Sequence, residues 1–287
     1  DCGARICDAT RKSASNHGNT IRVADEQSQI APPAMLDTGA ARPRIAYRFR
    51  PGTAAGDGRP TVAWLGGFKS DMLATKASFL DRWARENGRA FLRFDYSGHG
   101  ESEGLFEHGT IGRWLGESLA VIRAVAPGPL VLVGSSMGGW IALLVARALA
   151  QAGEAQRLKG MVLIAPAVDF TEALMWANLP EAARREIEQN GFWLRPSDYS
   201  PEPYPITRAL IEDGRDHLLF DGPLRSHCPV RILQGMRDPD VPWRHALKLV
   251  ERLAEDSVVL TLVKDGDHRL SGADDLARLA TAVENLA

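Results

Sequence analysis

Cysteine is scarce in this chain of 287 residues: Cys2, Cys7 and Cys228 are all it has. An odd set of thiols with no Cys-x-x-Cys spacing excludes a disulfide scaffold or a zinc finger as the basis of the fold, and a reducing compartment is the simpler expectation. Charge of either sign is not in excess, with 34 Lys and Arg against 36 Asp and Glu. That balance leaves no electrostatic footprint for nucleic acid or an anionic membrane. Nor is there an uninterrupted apolar run long enough to cross a bilayer. A soluble protein is therefore expected. What the chain does have is ordinary globular material, 45% hydrophobic and 24% charged residues, enough for a large core. The length suits one α/β domain of the larger kind, or a core with an insertion.

The first stretch is poor in large apolar residues and lacks the apolar centre of a secretory signal. Residues 1–35 are expected to be a mobile tail. The expected location is cytoplasmic. The mitochondrial matrix is the alternative if the tail is a transit peptide, although Asp1, Asp8, Asp25 and Glu26 weigh against that.

From there the chain alternates. Arg44–Arg50 reads as a half-exposed strand, and Thr61–Leu65, Ala90–Phe94, Leu130–Val133 and Met161–Ile164 read as short buried strands. Between them, Ala74–Glu86, Ile111–Ala126 and the run from Ile141 to Ala150 read as helices. This rhythm predicts a mostly parallel sheet covered by helices on both faces. It breaks over 169–227, where short helical stretches (among them Tyr204–Glu212) and an extended Gly191–Pro196 surround clustered prolines. Long irregular excursions in compact domains are usually functional, so 169–227 is expected to be a lid over the strand ends. The alternative is an excursion that simply packs on the core. Strands at Pro229–Gln234 and Val258–Val263 and helices at Pro242–Ala254 and Ala273–Leu286 then resume the pattern. The expected division is a tail (1–35), a first core part (36–168), the lid (169–227) and a second core part (228–287).

Chemistry concentrates after the strands. Gly134-Ser135-Ser136-Met137-Gly138 lies between a β-branched run and a helix. A chain turning that sharply strains its central serine, and small flanking residues leave room for the close approach. A serine hydroxyl is a weak nucleophile and needs a base, which itself needs orientation. Asp238 follows one later strand and His268 the last. Ser136 is therefore expected as nucleophile, His268 as general base and then acid, and Asp238 as the carboxylate that fixes the imidazole tautomer. Asp240 is the rival acid if the turn is one step longer. The backbone N–H groups of Met137 and of Phe68, after Gly66-Gly67, are the candidate oxyanion donors. Trp140, Trp176, Phe192, Trp193 and Tyr204 are candidates to line an apolar acyl pocket, though buried aromatics are more often plain core. No metal-ligand spacing and no dinucleotide fingerprint is present, so no metal or cofactor is expected.

LRFDYSGHGESEG, VGSSMGGW, CPVRILQGMRDPDVPW and DHRL together resemble the α/β-hydrolase subgroup that includes the mitochondrial acyl-protein thioesterase also described as an acyl-glucuronide esterase. The resemblance runs from Ile45 to the C-terminus. It implies an α/β-hydrolase fold with a helical lid and a triad of Ser136, Asp238 and His268. It also implies a carboxylesterase or thioesterase acting on small acyl esters or thioesters, acyl-protein or acyl-glucuronide-like. The chain departs from many of these hydrolases in having Gly66-Gly67-Phe68 where they have His-Gly. A peptidase or carbon–carbon bond hydrolase using the same triad, and a non-catalytic ligand-binding scaffold, are the competing readings.

Overall fold

Residues alternate by face even where a strand is wholly buried. In the strand Thr61–Leu65 (β3), Val62 and Trp64 join one apolar cluster, while Ala63 and Leu65 join another. The strands Leu130–Ser135 (β5) and Leu158–Ile164 (β6) repeat this, with Val131, Val133, Val162 and Ile164 on the one side and Leu132, Met161 and Leu163 on the other. A side-chain period of two in a strand buried on both faces makes two cores, one above and one below the sheet.

The computed structural model describes residues 31–39, 42–53, 58–196 and 202–287. The remaining strands of the main sheet are Ala34–Leu36 (β1), Ile45–Arg50 (β2), Phe91–Phe94 (β4), Val230–Gly235 (β9) and Val258–Val263 (β10). Its eight strands run in the order β1-β2-β4-β3-β5-β6-β9-β10. The pairs β1/β2 and β2/β4 are antiparallel, and every other neighbouring pair is parallel. Helices Ile111–Val125 (α2), Met137–Gln151 (α3) and Trp243–Arg252 (α6) supply one core. Helices Thr75–Glu86 (α1) and Ala273–Glu284 (α7) supply the other. This is the α/β arrangement the sequence predicts. Among the described residues, no helix is long and apolar enough to cross a membrane.

Between β6 and β9 lie a single π-helical turn (Thr171–Met175), helix Glu181–Asn190 (α4), a two-stranded antiparallel ribbon of Phe192–Arg195 (β7) and Tyr204–Thr207 (β8), and helix Arg208–Arg215 (α5). Its apolar side chains, including Phe170, Ile187, Ile206, Leu210 and Ile211, belong to the same core as α2 and α3. The base of the excursion is clasped by Asp169, whose carboxylate accepts the N–H groups of Leu219 and Phe220, both at 2.9 Å.

Two expectations are corrected. Tyr204–Glu212 is not one helix: Tyr204–Thr207 is a strand, and the helix starts at Arg208. Pro205 pushes the residue before it into extended backbone, and Thr207 caps the helix by accepting the Leu210 N–H at 3.1 Å. Ala34 and Met35, expected within the tail, instead pair with Tyr47 and Ala46 at the sheet edge. Residues 1–30 of that expectation lie outside the described residues.

Candidate active site

Parallel strands bring their carboxyl ends to one edge, and ligands bind in the crevice there. Backbone strain gathers at the same edge. Among the described non-glycine residues, Lys69 after β3, Ser136 after β5, Ala165 and Asp169 after β6, and Leu270 after β10 have positive φ, and His227 before β9 is the exception. Such strain persists where the surroundings over-determine it, as active sites do.

Ser136 sits at φ 54° and ψ −119°, immediately before α3. Its glycine neighbours are required by contact. A Cβ on Gly134 would collide with the Gly138 carbonyl, and one on Gly138 with the Leu65 carbonyl. The elbow is fixed to the next strand because the Ser136 N–H donates to Ile164 O at 2.8 Å. Met137 is the first residue of α3, where a main-chain N–H has no acceptor inside the helix. The other donor candidate, Phe68, follows Gly67, whose added Cβ would lie 3.5 Å from the Ser136 Cβ. That spacing brings the loop after β3 against the elbow.

Asp238 and His268 follow the neighbouring strands β9 and β10. His268 Nδ1 faces Asp238 Oδ2 at 2.8 Å. A carboxylate opposite Nδ1 holds the proton there and leaves Nε2 as the acceptor. The Asp238 side chain is fully buried and saturated with donors. Its Oδ1 accepts the N–H groups of Asp240 and Val241, each at 2.8 Å, and Oδ2 also accepts from Gln234 Nε2 at 3.2 Å. The rival acid, Asp240, thus contributes its main chain to Asp238. Gln234 escaped the sequence reading, since a strand glutamine carries no signal by itself. Asp238, Asp240 and His268 also place one possible metal-donor atom each within 4.8 Å of one another.

The two loops are pinned to one another and to the sheet. The Met236 N–H donates to Val263 O at 2.9 Å and the Arg237 N–H to Gly266 O at 2.9 Å. Lys76 Nζ on α1 donates to Arg269 O, next to His268. Burial pushes the Lys76 ammonium down to about 8.

The aromatic candidates separate. Tyr204 packs against Phe68, with ring centroids 6.0 Å apart, and under the Lys69 ammonium at 4.4 Å. The ribbon of the excursion therefore touches the loop after β3. Trp140 is fully buried, edge-on to Phe170 at 5.8 Å, with Nε1 donating to His217 O at 3.3 Å. Its position is that of a core residue. The guanidinium groups of Arg184 and Arg215 lie 5.7 and 5.2 Å from the centroid of the Trp176 ring. Phe192 is exposed on β7, and Trp193 is half-buried against the core. Phe106, Trp114 and Phe170, which no sequence motif marks, lie with their rings 5.0, 6.0 and 5.4 Å from that of Phe68. Only the folded order of the loops gathers them.

Parallel sheet, strained serine elbow and a His–Asp pair on successive strand ends describe an α/β-hydrolase, and the chain belongs to the alpha/beta hydrolase family, whose profile matches residues 63–282. Particular relatives are close. The palmitoyl-protein thioesterase ABHD10, mitochondrial, of Bos taurus is 35% identical over 85% of this chain and 76% of its own. Among solved structures, a putative hydrolase from Agrobacterium vitis S4 is 50% identical with a TM-score of 0.82, covering 88% of this chain and 97% of its own. Mouse alpha/beta hydrolase domain-containing protein 10 is 33% identical with a TM-score of 0.78, covering 89% and 98%.

Proposed function

We propose that this chain is a serine hydrolase that cleaves carboxylic esters or thioesters through an acyl-enzyme on Ser136. The observation that carries this reading is the 2.8 Å His268–Asp238 pair, at the same strand-end edge as the strained Ser136. His268 Nε2 takes the proton from Ser136 Oγ as that oxygen attacks the carbonyl carbon. The Phe68 and Met137 N–H groups receive the oxyanion that forms. When the tetrahedral intermediate collapses, His268 returns the proton to the departing alcohol or thiol. Water, deprotonated by the same imidazole, then releases the carboxylic acid and restores Ser136. Asp238 stays ionised throughout and stabilises the imidazolium.

The excursion from Asp169 to about His227 acts as a lid, with Tyr204 and Phe170 packed on Phe68 of the donor loop. The thioesterase name of the relatives favours long acyl thioesters, acyl-proteins among them, as substrates. The word mitochondrial in that name favours a mitochondrial location over the cytoplasm.

Labelling by a fluorophosphonate probe tests the nucleophile. The wild type should label and Ser136→Ala should not, with turnover of nitrophenyl esters and acyl thioesters falling about 10⁴-fold or more. A folded Ser136→Ala variant that labels and turns over like the wild type would remove Ser136 from the mechanism. An optimum at long acyl chains, in a series from acetyl to palmitoyl, is the expected substrate profile.

A further inference from the structure

The loop Asp95-Tyr96-Ser97-Gly98-His99-Gly100 after β4 contributes neither nucleophile, base nor acid to the reaction above, yet three of its side chains reach the main chain of the neighbouring loop that carries Phe68. Tyr96 Oη donates to Gly66 O at 3.3 Å. His99 Nε2 accepts the Lys69 N–H at 3.1 Å. Asp95 Oδ1 accepts the Met72 N–H at 2.6 Å. These contacts hold the loop at its start, its middle and its end. The middle one bears most directly on the chemistry, because Lys69 is the residue after Phe68.

Lys69 has φ 57°, a left-handed conformation that its Cβ disfavours. A bond to its N–H from a fixed acceptor is what such a residue needs to stay there. His99 is that fixed acceptor. The ring is buried, and it stands edge-on to Tyr96, Phe106 and Trp114 with centroids 5.7, 5.3 and 5.2 Å away. Its Nδ1 faces the Ser97 carbonyl at 3.2 Å. A carbonyl can only accept, so Nδ1 carries the proton and Nε2 presents its lone pair to Lys69. Protonation of Nε2 would set two donors face to face. Burial works against that, pushing the imidazole down to about 4.

We infer that His99 is a positioning residue for the reaction: as the Nδ1–H tautomer, it fixes Lys69 and so aims the Phe68 N–H at the oxyanion. The inference rests on the reading of Ser136 as nucleophile and Phe68 as donor. A donor displaced by an ångström loses transition-state stabilisation while substrate binding elsewhere is spared. The expected signature is therefore a loss in kcat with little change in KM.

The experiment compares wild type, His99→Leu, His99→Gln and Ser136→Ala on one nitrophenyl ester, with thermal melts alongside. His99→Leu should lower kcat about tenfold or more with KM changed by less than about twofold. His99→Gln, whose amide oxygen can stand where Nε2 stood, should recover most of the loss. A ¹⁵N spectrum of the wild-type imidazole should put the proton on Nδ1, and this readout does not depend on any variant folding. Wild-type kcat in a folded His99→Leu, or a proton on Nε2, would overturn the inference. Equal activity of wild type and Ser136→Ala would instead overturn the reading on which it rests.

Discussion

Trp140 shows how one position divides chemistry from packing. It lies one turn into α3 from Ser136, where a pocket wall would be expected, yet it has no exposed surface and spends its N–H on His217 O. Truncation should therefore be read in stability. Trp140→Ala is expected to cost about 3–5 kcal/mol, measured by denaturant unfolding, and a soluble variant should keep its KM. A raised KM at unchanged stability would make Trp140 a binding residue after all. Gln234 is the converse case. It is buried with its side-chain nitrogen shared among Asp238 Oδ2, Gly235 O and Val241 O, and so it supports the Asp238 carboxylate although nothing in its surroundings in sequence marks it.

Between elements, α1 and the loop after β10 are joined by Lys76 and the Arg269 carbonyl. Burial lowers this lysine from 10.5 to about 8. Between those values the unfolded chain still holds a proton that the folded chain has released, so stability rises with pH across that window. Thermal melts from pH 8 to 10.5 should show the wild type gaining on Lys76→Met as pH climbs, and a constant difference between the two would contradict the assignment. The elements themselves were largely legible in the sequence, because runs such as Val131–Val133 and Met161–Ile164 are apolar, short and bounded by turn residues. Ser136, Asp238 and His268 stand out in the sequence as candidates because each follows a strand, and the sheet brings those strand ends to one edge. Tyr204–Thr207 was misread because apolar spacing over so short a stretch suits helix and strand alike, and its partner strand β7 decided the matter. Neither the Asp95-Tyr96-His99 contacts nor the Phe68 aromatic cluster could be seen beforehand. Both depend on which loops come to lie side by side, and the sheet order β4-β3-β5 settles that.

At the scale of the whole molecule, the sheet and the excursion between β6 and β9 share one core, so the excursion is docked rather than hinged free. Its base depends on the Asp169 clasp, and Asp169→Ala should speed limited proteolysis between 170 and 218 ahead of cleavage in the sheet strands. Cleavage at the wild-type rate in that interval would show that core packing alone secures it. The clasp has a consequence for descent as well as for stability. It closes a ring at residues 169 and 219–220, and the entropy of closing a flexible ring grows only with the logarithm of its length, about 0.6 kcal/mol per doubling. Segments of quite different length can therefore be exchanged inside the ring, provided they return inward residues equivalent to Ile206, Leu210 and Ile211 to the core. The strand-end edge is then a fixed chassis and the ring an interchangeable cassette, so the excursion can diverge without disturbing the Ser136 elbow or the Asp238–His268 pair.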